Sequence, residues 1–406
     1  MILILPVAIV TGASVALFLW LMEVVNAVRW NNMWLIFFLP AAGVLIAWMY
    51  KRAGSRVEAG NDLVIDEIHS PQAGVPARIT PLIFVTTLIT HLFGGSAGRE
   101  GTAVQMGGGI SGYFATRFNL SSPQVSALLM CGMAAGFGAV FGTPLAGAVF
   151  AIEVLVAGRL RHRAFLPCLF AAVGGDLVVR LTGVHHTTYQ VLFVPAGDGF
   201  FRWISADVML PVKIIAAGIF FGYASRLYIV VSRLVKTAAV SVIVNPLLRP
   251  VVGGMLVILI SYITGSFDYL GLGVTNPDPG GVSILSAFEA GGAENFSWFW
   301  KLLLTAITLG FGFKGGEVTP LFFIGATLGN VLAGVMGLPV DLLAAAGFLA
   351  VFAGATNTPL ACTIMGIELF GSDNFIFFAL ACFTAYFFSG RRGIYSSQRL
   401  AGPPFV

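Results

Sequence analysis

The chain has 406 residues, of which 57% are hydrophobic and 10% are charged, and its mean hydropathy is +0.91. This balance excludes a soluble globular protein and indicates an all-α polytopic membrane protein. The formal net charge of +4 is small and its basic residues lie in short loops, which indicates orientation in a bilayer and argues against nucleic-acid binding.

The N-terminus and the lengths of the apolar segments indicate how the chain crosses the bilayer. Residues 1–6 have no basic region and no cleavage pattern follows them, so the first segment is interpreted as a membrane helix and not as a signal peptide. Several later segments are shorter than the ~20 residues that a spanning helix needs. Such short, glycine-interrupted segments are typical of transporters with broken helices and inverted repeats. The predicted segments lie near 2–22, 34–50, 81–93, 101–116, 123–140, 144–157, 164–181, 206–232, 250–264, 298–312, 319–336, 340–354, 358–371 and 373–389.

A helix start is predicted near residue 61. Asp62, Asp66 and Glu67 follow Asn61 and suit the first turns of a helix, where the macrodipole favours acids, so they are interpreted as caps. The Asn61 amide could donate to an anion if this N-terminus meets others.

Residues 94–105 place an arginine and a glutamate among glycines in a chain that is otherwise almost entirely apolar. Ionisable side chains within membrane spans are costly and by default indicate a functional site. A helix that begins at Arg99 or Glu100 after bare glycines directs unpaired N–H groups at whatever lies there. The stretch therefore predicts an anion site.

Residues 312–320 repeat this order of glycines, glutamate, threonine and apolar helix. Aligning Glu317 with Glu100 gives an offset of 217 positions, and the Ile-Glu pairs that end at Glu153 and Glu368 give an offset of 215. Two motifs that recur in the same order at nearly one offset indicate a duplicated unit.

Clusters of Lys and Arg predict the topology. If these basic loops are cytoplasmic, both termini lie inside and each half crosses an odd number of times, so that the second half is inverted. The clusters lie at residues 51–56, 159–163, 226–249 and 391–392.

The domain organisation follows from this topology. We predict a single transmembrane domain over 1–406, with a first half over 1–190 and a second half over 206–406, and no soluble regulatory domain. The polar stretch 182–205 is predicted to join the halves on the outside. Its polar side chains include His185, His186 and Asp198.

Glu100 and Glu317 can each be interpreted in two ways. The Glu100 carboxylate could compete with a permeating anion for the same donors and leave once protonated, or it could pair with Arg99 or Lys314. Glu317 could relay protons, or donate a hydrogen bond when protonated, or pair with Lys314.

Other polar and sulfur-containing residues favour structural roles. Glu153 and Glu368 are interpreted as acids that satisfy nearby backbone donors or loop arginines. The histidines show no metal-binding pattern, and no nucleophile–base pair is visible, so no metal, cofactor or enzymatic activity is predicted. The four cysteines are interpreted as small buried hydrophobes: Cys131, Cys168, Cys362 and Cys382.

Three motifs resemble those of the CLC family of anion transporters over nearly the whole chain. Residues 98–102 resemble the family's G-R-E-G-P signature, residues 315–320 resemble its G-x-F-x-P signature, and Tyr395 lies where the family has a pore tyrosine. The resemblance implies a CLC-type inverted-repeat fold and a homodimer with one anion path per subunit. It also implies that Glu100 is the gating glutamate.

The departures from these signatures resemble the bacterial fluoride/proton antiporter branch of the family. Thr102 replaces the signature proline, and Asn61 lies where chloride-selective members carry a pore serine. Val154 lies where chloride/proton exchangers have an inner glutamate, which shifts proton handling to Glu100 and Glu317. The resemblance implies fluoride export against inward protons across the cell inner membrane.

Fluoride is small, strongly hydrated and a strong hydrogen-bond acceptor, so its site needs several donors. The backbone N–H groups of two helix starts and three polar side chains could supply them. The predicted anion-binding residues are Asn61, Glu100, Gly101, Thr102, Val318, Thr319 and Tyr395. A chloride antiporter or channel of the same fold is the alternative, and an anion-binding membrane sensor without turnover is the second.

Overall fold

The computed structural model describes residues 2–195 and 209–401, and within these ranges the chain is almost entirely helical. Its helices are α1 (Ile4–Asn31), α2 (Leu39–Ala53), α3 (Asn61–His69), α4 (Ile79–Leu92), α5 (Glu100–Arg117), α6 (Ser122–Phe141), α7 (Pro144–Glu153), α8 (Phe165–Leu181), α9 (Met209–Val242), α10 (Arg249–Thr264), α11 (Ser297–Gly310), α12 (Val318–Met336), α13 (Val340–Thr356), α14 (Pro359–Phe370) and α15 (Phe375–Ser389). Two short strands, β1 (Val156–Ala157) and β2 (Arg399–Leu400), pair in parallel.

Helix lengths confirm an all-α membrane fold with broken helices. Six helical stretches in the described ranges are long and apolar enough to cross a membrane. Six further apolar helices have only 10–17 residues, which is too short for a full crossing. Of the predicted outer connection, residues 196–205, with Asp198, lie outside the described ranges.

The duplication is visible as repeated helix starts. Helices α4, α5 and α6 begin at Ile79, Glu100 and Ser122, and α11, α12 and α13 begin 218 positions later in each case. The packing repeats as well, since α5 lies on α6 as α12 lies on α13, and α6 lies on α8 as α13 lies on α15. The predicted boundaries of the halves, 1–190 and 206–406, remain a prediction.

The offset of 217 that aligned Glu317 with Glu100 is wrong by one residue. Arg99 precedes the first residue of α5 with φ −112° and ψ −21°, and Glu317 precedes the first residue of α12 with φ −100° and ψ −13°. Glu317 is therefore the structural equivalent of Arg99, and Val318 is the equivalent of Glu100. Matching residue types gave the wrong alignment because, when the two loops are aligned by structure, their glutamates lie one position apart.

Reciprocal contacts between α7 and α14 establish that the second repeat is inverted. Glu153, at the end of α7, accepts hydrogen bonds from the N–H groups of Leu360 and Ala361 at the start of α14 (3.0 and 2.7 Å). Glu368, near the end of α14, accepts from Leu145 and Ala146 at the start of α7 (2.9 and 2.7 Å). Each carboxylate thus caps the N-terminus of the antiparallel partner helix. The structural interpretation of Glu153 and Glu368 is confirmed.

Glycines set the closest helix contacts. A Cβ atom added to Gly107 of α5 would overlap the carbonyl of Gly132 in α6, and a Cβ on Gly325 of α12 would overlap the carbonyl of Gly347 in α13. Backbones approach this closely in membranes when small residues line the interface. The same device therefore holds the central helix pair of each half together.

The segment that follows α15 returns to the middle of the molecule. Asp62 accepts hydrogen bonds from the Ser396 hydroxyl (2.6 Å) and the Ser397 N–H (3.1 Å), and β2 pairs with β1. Glu67 is paired with Arg56 at 2.9 Å. The interpretation of Asp62, Asp66 and Glu67 as helix caps is therefore wrong, because no side chain caps the N-terminus of α3 and Asp62 anchors the segment that carries Tyr395.

Candidate anion site

Two equivalent loops lead into α5 and α12. Gly94 (φ +83°) and Gly312 (φ +106°) lie 218 positions apart, shortly after α4 and α11 end. Both adopt the left-handed region that only glycine enters without strain. The loops then pair with each other, because Gly98 and Gly316 exchange two backbone hydrogen bonds of 2.6 Å. This pairing brings the two helix starts together at the centre of the protein.

Three helix N-termini converge there. A Cβ atom on Gly98 would lie 2.9 Å from Thr319 Oγ1 and 3.0 Å from the Thr319 backbone nitrogen. A Cβ atom on Gly101 would lie 3.1 Å from Gly316 Cα and 3.3 Å from Asn61 Nδ2. Asn61 is the first residue of α3. The N-terminus of α3 therefore meets the other two, which is what a role for the Asn61 amide as an anion donor requires. The dipoles and unpaired N–H groups of these helix starts favour an anion.

The Glu100 carboxylate lies at the N-terminus of α12. Its Oε2 accepts hydrogen bonds from the Thr319 N–H (3.1 Å), from the Thr319 hydroxyl and from the Arg99 N–H (3.2 Å). The Arg99 Nε lies 3.7 Å from the Glu100 Oε1, and Glu100 is only 2% exposed. A carboxylate thus occupies donors that could bind a small anion.

Cavities lie on both sides of this contact. A cavity of about 190 Å³, here called the Tyr395 cavity, is lined by Asn61, Gly101, Glu317 and Tyr395. A cavity of about 20 Å³, the His186 cavity, is lined by Arg99, Glu100, Thr319 and His186. Because Glu100 and Gly101 are adjacent in the chain but contribute to different cavities, the start of α5 separates two spaces.

A larger basic cavity adjoins the Tyr395 cavity. This Lys236 cavity, of about 600 Å³, has Lys236, Lys314 and Glu317 among the residues that it shares with the Tyr395 cavity. Its lining carries more cationic than acidic side chains, which would raise the local concentration of anions. The cations are Lys51, Arg233, Lys236, Arg249 and Lys314.

Glu317 makes one side-chain contact that the sequence did not indicate. The Tyr228 hydroxyl, from the middle of α9, donates a hydrogen bond of 3.3 Å to its Oε1, and Tyr228 is fully buried. Among the described residues no cation lies within 4.0 Å of Glu317; the Lys314 ammonium lies instead over the Tyr50 ring at 4.2 Å. The proposed pairing of Glu317 with Lys314 is therefore wrong.

The remaining predicted residues differ in the hydrogen-bonding group that each offers to a bound anion. Thr102 directs its hydroxyl at Thr87 (2.9 Å), so only its backbone N–H, in the first turn of α5, is left for a ligand. Val318 is the first residue of α12 and offers a backbone N–H. Tyr395 is 8% exposed and lines its cavity. The structure thus brings all seven predicted residues to one region but excludes the Thr102 side chain from it.

His186 is a site neighbour that sequence reasoning missed. Burial, together with the nearby Arg99 and Arg180 cations, lowers the pKa of His186 to about 4. Its imidazole is therefore neutral at pH 7, so its 3.9 Å approach to Asp176 is not an ion pair there. A neutral ring leaves Arg99 as the cation of the His186 cavity.

Comparison with known proteins extends this description. A family model described as "Voltage gated chloride channel" matches residues 42–390. A "Chloride/fluoride channel protein" from Pseudomonas syringae pv. tomato is 42% identical over 400 residues, covering 97% of this chain and 85% of the relative. The crystal structure of a CLC-type fluoride/proton antiporter superposes with a TM-score of 0.90 at 35% identity, covering 98% of this chain and 97% of the other. A slow cyanobacterial Cl⁻/H⁺ antiporter has the same fold, with a TM-score of 0.81 at 19% identity and coverage of 98% and 96%.

An inverted repeat of broken membrane helices whose N-termini meet at one buried carboxylate defines a polytopic membrane protein of the ion-transporter class. The family match and the similarity to the Pseudomonas relative both extend over most of the chain, which establishes its family. The chain belongs to the voltage-gated chloride channel (CLC) family.

Proposed function

We propose that this protein exports fluoride in exchange for protons, with Glu100 as the group that couples the two ions. The observation that carries the proposal is the Glu100 carboxylate bound to the N–H and hydroxyl of Thr319, at the boundary of two cavities. The names of two relatives, a chloride/fluoride channel protein and a CLC-type fluoride/proton antiporter, support fluoride as the ion.

The coupling follows from competition for shared donors. An ionised Glu100 occupies the N-terminus of α12 and excludes an anion from it. Protonation removes the negative charge, so the side chain is released and an anion can take its place. Return of the carboxylate requires loss of the proton and departure of the anion. When the proton reaches Glu100 from one cavity and the anion enters from the other, each cycle moves the two ions in opposite directions.

Fluoride suits the donors in this region. Fluoride gives up its hydration shell only where several hydrogen-bond donors replace it. The starts of α5 and α12 supply backbone N–H groups, and Asn61, Thr319 and Tyr395 supply polar side chains next to them. Charge-assisted hydrogen bonds of this kind are stronger for a small, concentrated charge than for chloride.

The test uses purified protein in liposomes with a fluoride electrode and a pH electrode in one suspension. An outward fluoride gradient should drive protons uphill into the vesicles, with little movement of chloride. Fluoride efflux without protons would mean a channel, the alternative that the name of the Pseudomonas relative favours. Binding of fluoride without any flux would mean a sensor.

Asn61→Ser is expected to reduce discrimination against chloride by about tenfold, since one amide donor near the start of α5 is lost. The measurement is the ratio of fluoride to chloride efflux from the same liposomes. Asn374→Ser is the matched control, because that buried asparagine donates to the Phe193 carbonyl and lines neither the Tyr395 cavity nor the His186 cavity. An Asn61 variant with the wild-type ratio would remove Asn61 from the selectivity mechanism.

Glu317→Gln is expected to slow coupled exchange by about tenfold or more, because the amide cannot carry a proton. The readout is the initial rate of proton-coupled fluoride efflux. Tyr228→Phe separates two roles: it removes the hydroxyl that donates to Glu317 but leaves the carboxyl in place. If Glu317 only anchors Tyr228, Glu317→Gln will keep the wild-type rate because glutamine still accepts that hydrogen bond, and slowing will appear only in Tyr228→Phe; if Glu317 handles protons, only Glu317→Gln will be slow.

The assembly and orientation complete the proposal. We place the protein in the cell inner membrane as a homodimer, with both termini cytoplasmic and the two halves divided near residues 190–206. Large apolar side chains exposed on α8 and α15, among them Phe170 (66%) and Phe387 (76%), are consistent with a partner or with lipid. Cross-linking between cysteines introduced at Phe170 of two subunits would support the dimer, and monomers under all conditions would exclude it.

A further inference from the structure

A second cavity region in the described part of the chain lies away from the anion site. It has a volume of about 710 Å³, is bounded by the loop before α8 and by β2, and is here called the Arg161 cavity. Its lining contains no acidic residue. The six titratable side chains in it are His69, Arg159, Arg161, His162, Arg163 and Arg399.

The four arginines of this cavity lack counter-ions. In the described ranges none of them has a carboxylate oxygen within 4.0 Å; the arginines that pair with carboxylates there are Arg56, Arg99 and Arg180. Four like charges around one space repel one another, and water screens this repulsion only in part within a cleft. The arrangement is therefore complementary to an anionic ligand.

Two of the guanidinium groups are held in place by the fold. His69 donates from Nε2 to the Leu155 carbonyl (3.0 Å), which leaves its Nδ1 to accept a hydrogen bond from Arg161 Nη2 (3.0 Å). Arg399 is fixed by the pairing of β2 with β1, and its Nη2 donates to the Ser70 hydroxyl (3.3 Å). Preorganised donors lose less entropy when a ligand binds.

A helix start adds a further donor to the cavity. The turn His162–Ala164 leads directly into α8, and all three of its residues line the cavity. The unpaired N–H groups of a 17-residue helix and its dipole favour an anion at this end. Guanidinium groups match the geometry of phosphate oxygens through paired hydrogen bonds, whereas a monovalent halide cannot use such a fork.

We propose that the Arg161 cavity binds a phosphate group, carried either by an anionic phospholipid of the adjacent leaflet or by a free soluble phosphate. Both sources present negatively charged, non-bridging phosphate oxygens to the arginines. The site is distinct from the transport site, since the two cavities share no residue.

Phosphate binding here should stabilise the protein. The short helix α3 ends at His69, and the terminal segment runs from Tyr395 to Arg399. A ligand that binds both His69 and Arg399 would therefore link these two elements. A ligand that binds only the folded state raises its stability in proportion to the logarithm of ligand concentration. Thermal unfolding is therefore a direct readout that does not depend on transport.

The experiment uses full-length purified protein and two probes. In neutral detergent, the first probe is sodium pyrophosphate, titrated against sodium chloride at equal ionic strength, with the shift in Tm as the readout. The second probe is phosphatidylglycerol, offered with phosphatidylcholine in mixed micelles, with the lipid retained by each protein counted by native mass spectrometry. The first probe reports a soluble source of phosphate and the second reports a lipid source.

The variant Arg159→Gln with Arg163→Gln tests the site without disturbing the fold, because both side chains are exposed and make no hydrogen bond or ion pair within the described ranges. We expect a half-saturating concentration about tenfold higher, or about tenfold less retained phosphatidylglycerol, than in the wild type. Arg161→Gln with Arg399→Gln should weaken binding to a similar degree. Arg117→Gln, an exposed arginine at the end of α5, is the control and should behave as the wild type.

The results distinguish a soluble source of phosphate, a lipid source and the absence of a phosphate site. Loss of the pyrophosphate shift in the cavity variants assigns the site to a soluble phosphate, and loss of retained phosphatidylglycerol assigns it to a lipid. If both double variants match the wild type and Arg117→Gln with both probes, the cavity is not a phosphate site and the proposal is overturned.

Discussion

Glu100→Gln is expected to abolish the coupling of protons to anion movement, lowering proton flux by about 100-fold or more. Glutamine has nearly the same size as glutamate and can still accept a hydrogen bond from Thr319, but it neither carries a negative charge nor takes up a proton. The residue that alternates between bound and protonated states is then missing. The measurement is proton uptake driven by an outward fluoride gradient in liposomes.

The control for this experiment is Glu23→Gln, an acid exposed on α1 and remote from the site. It should retain wild-type coupling. Fluoride efflux through the Glu100 variant, if it persists, should no longer acidify the vesicles. Proton-driven fluoride transport at the wild-type rate in Glu100→Gln would show that another group couples the two ions.

Gly325→Val is expected to lower the free energy of unfolding by about 3 kcal/mol, and most of the protein should fail to fold at physiological temperature. The added Cβ would overlap the Gly347 carbonyl, a backbone group that can move only if α12 and α13 separate. That separation would also shift the start of α12, which carries Thr319. The measurement is thermal unfolding in detergent, with the yield of folded protein by size-exclusion chromatography.

Gly334→Val provides a matched control in the same helix. A Cβ at Gly334 would meet no atom within 4 Å, so the same change in side chain should leave stability unchanged or slightly higher, because valine has a better helix propensity than glycine. Equal yields of the two variants would mean that the α12–α13 contact relaxes easily and does not set the fold.

Local sequence features predicted a large part of the fold and of the site. The apolar segments, the duplication and the two glycine-rich loops were readable because each depends on neighbouring residues in the chain. Gly94 and Gly312 illustrate this, since a left-handed turn needs a glycine at that position whatever surrounds it. The alignment of Glu317 was wrong by one residue, because matching residue types pairs it with Glu100 whereas the backbones of the two loops pair it with Arg99.

Other site features had no local signal. Tyr228 lies within a long apolar helix, and its hydroxyl acquires a role only because α9 passes beside Glu317. Thr102 belongs to the conspicuous motif, yet its side chain turns to Thr87. Asp62 resembled a helix cap but binds a segment more than 330 positions away.

Hydropathy and backbone freedom are properties of consecutive residues, so the amino-acid sequence already indicates a duplicated membrane protein with two glutamate-bearing helix starts. The groups that those helix starts bind depend instead on how distant segments pack. Glu100 contacts Thr319 through packing between the inverted halves, and Glu317 accepts from Tyr228 through packing within the second half. Close glycine contacts hold these helices together, so residues about 90 to 220 positions apart lie within hydrogen-bonding distance.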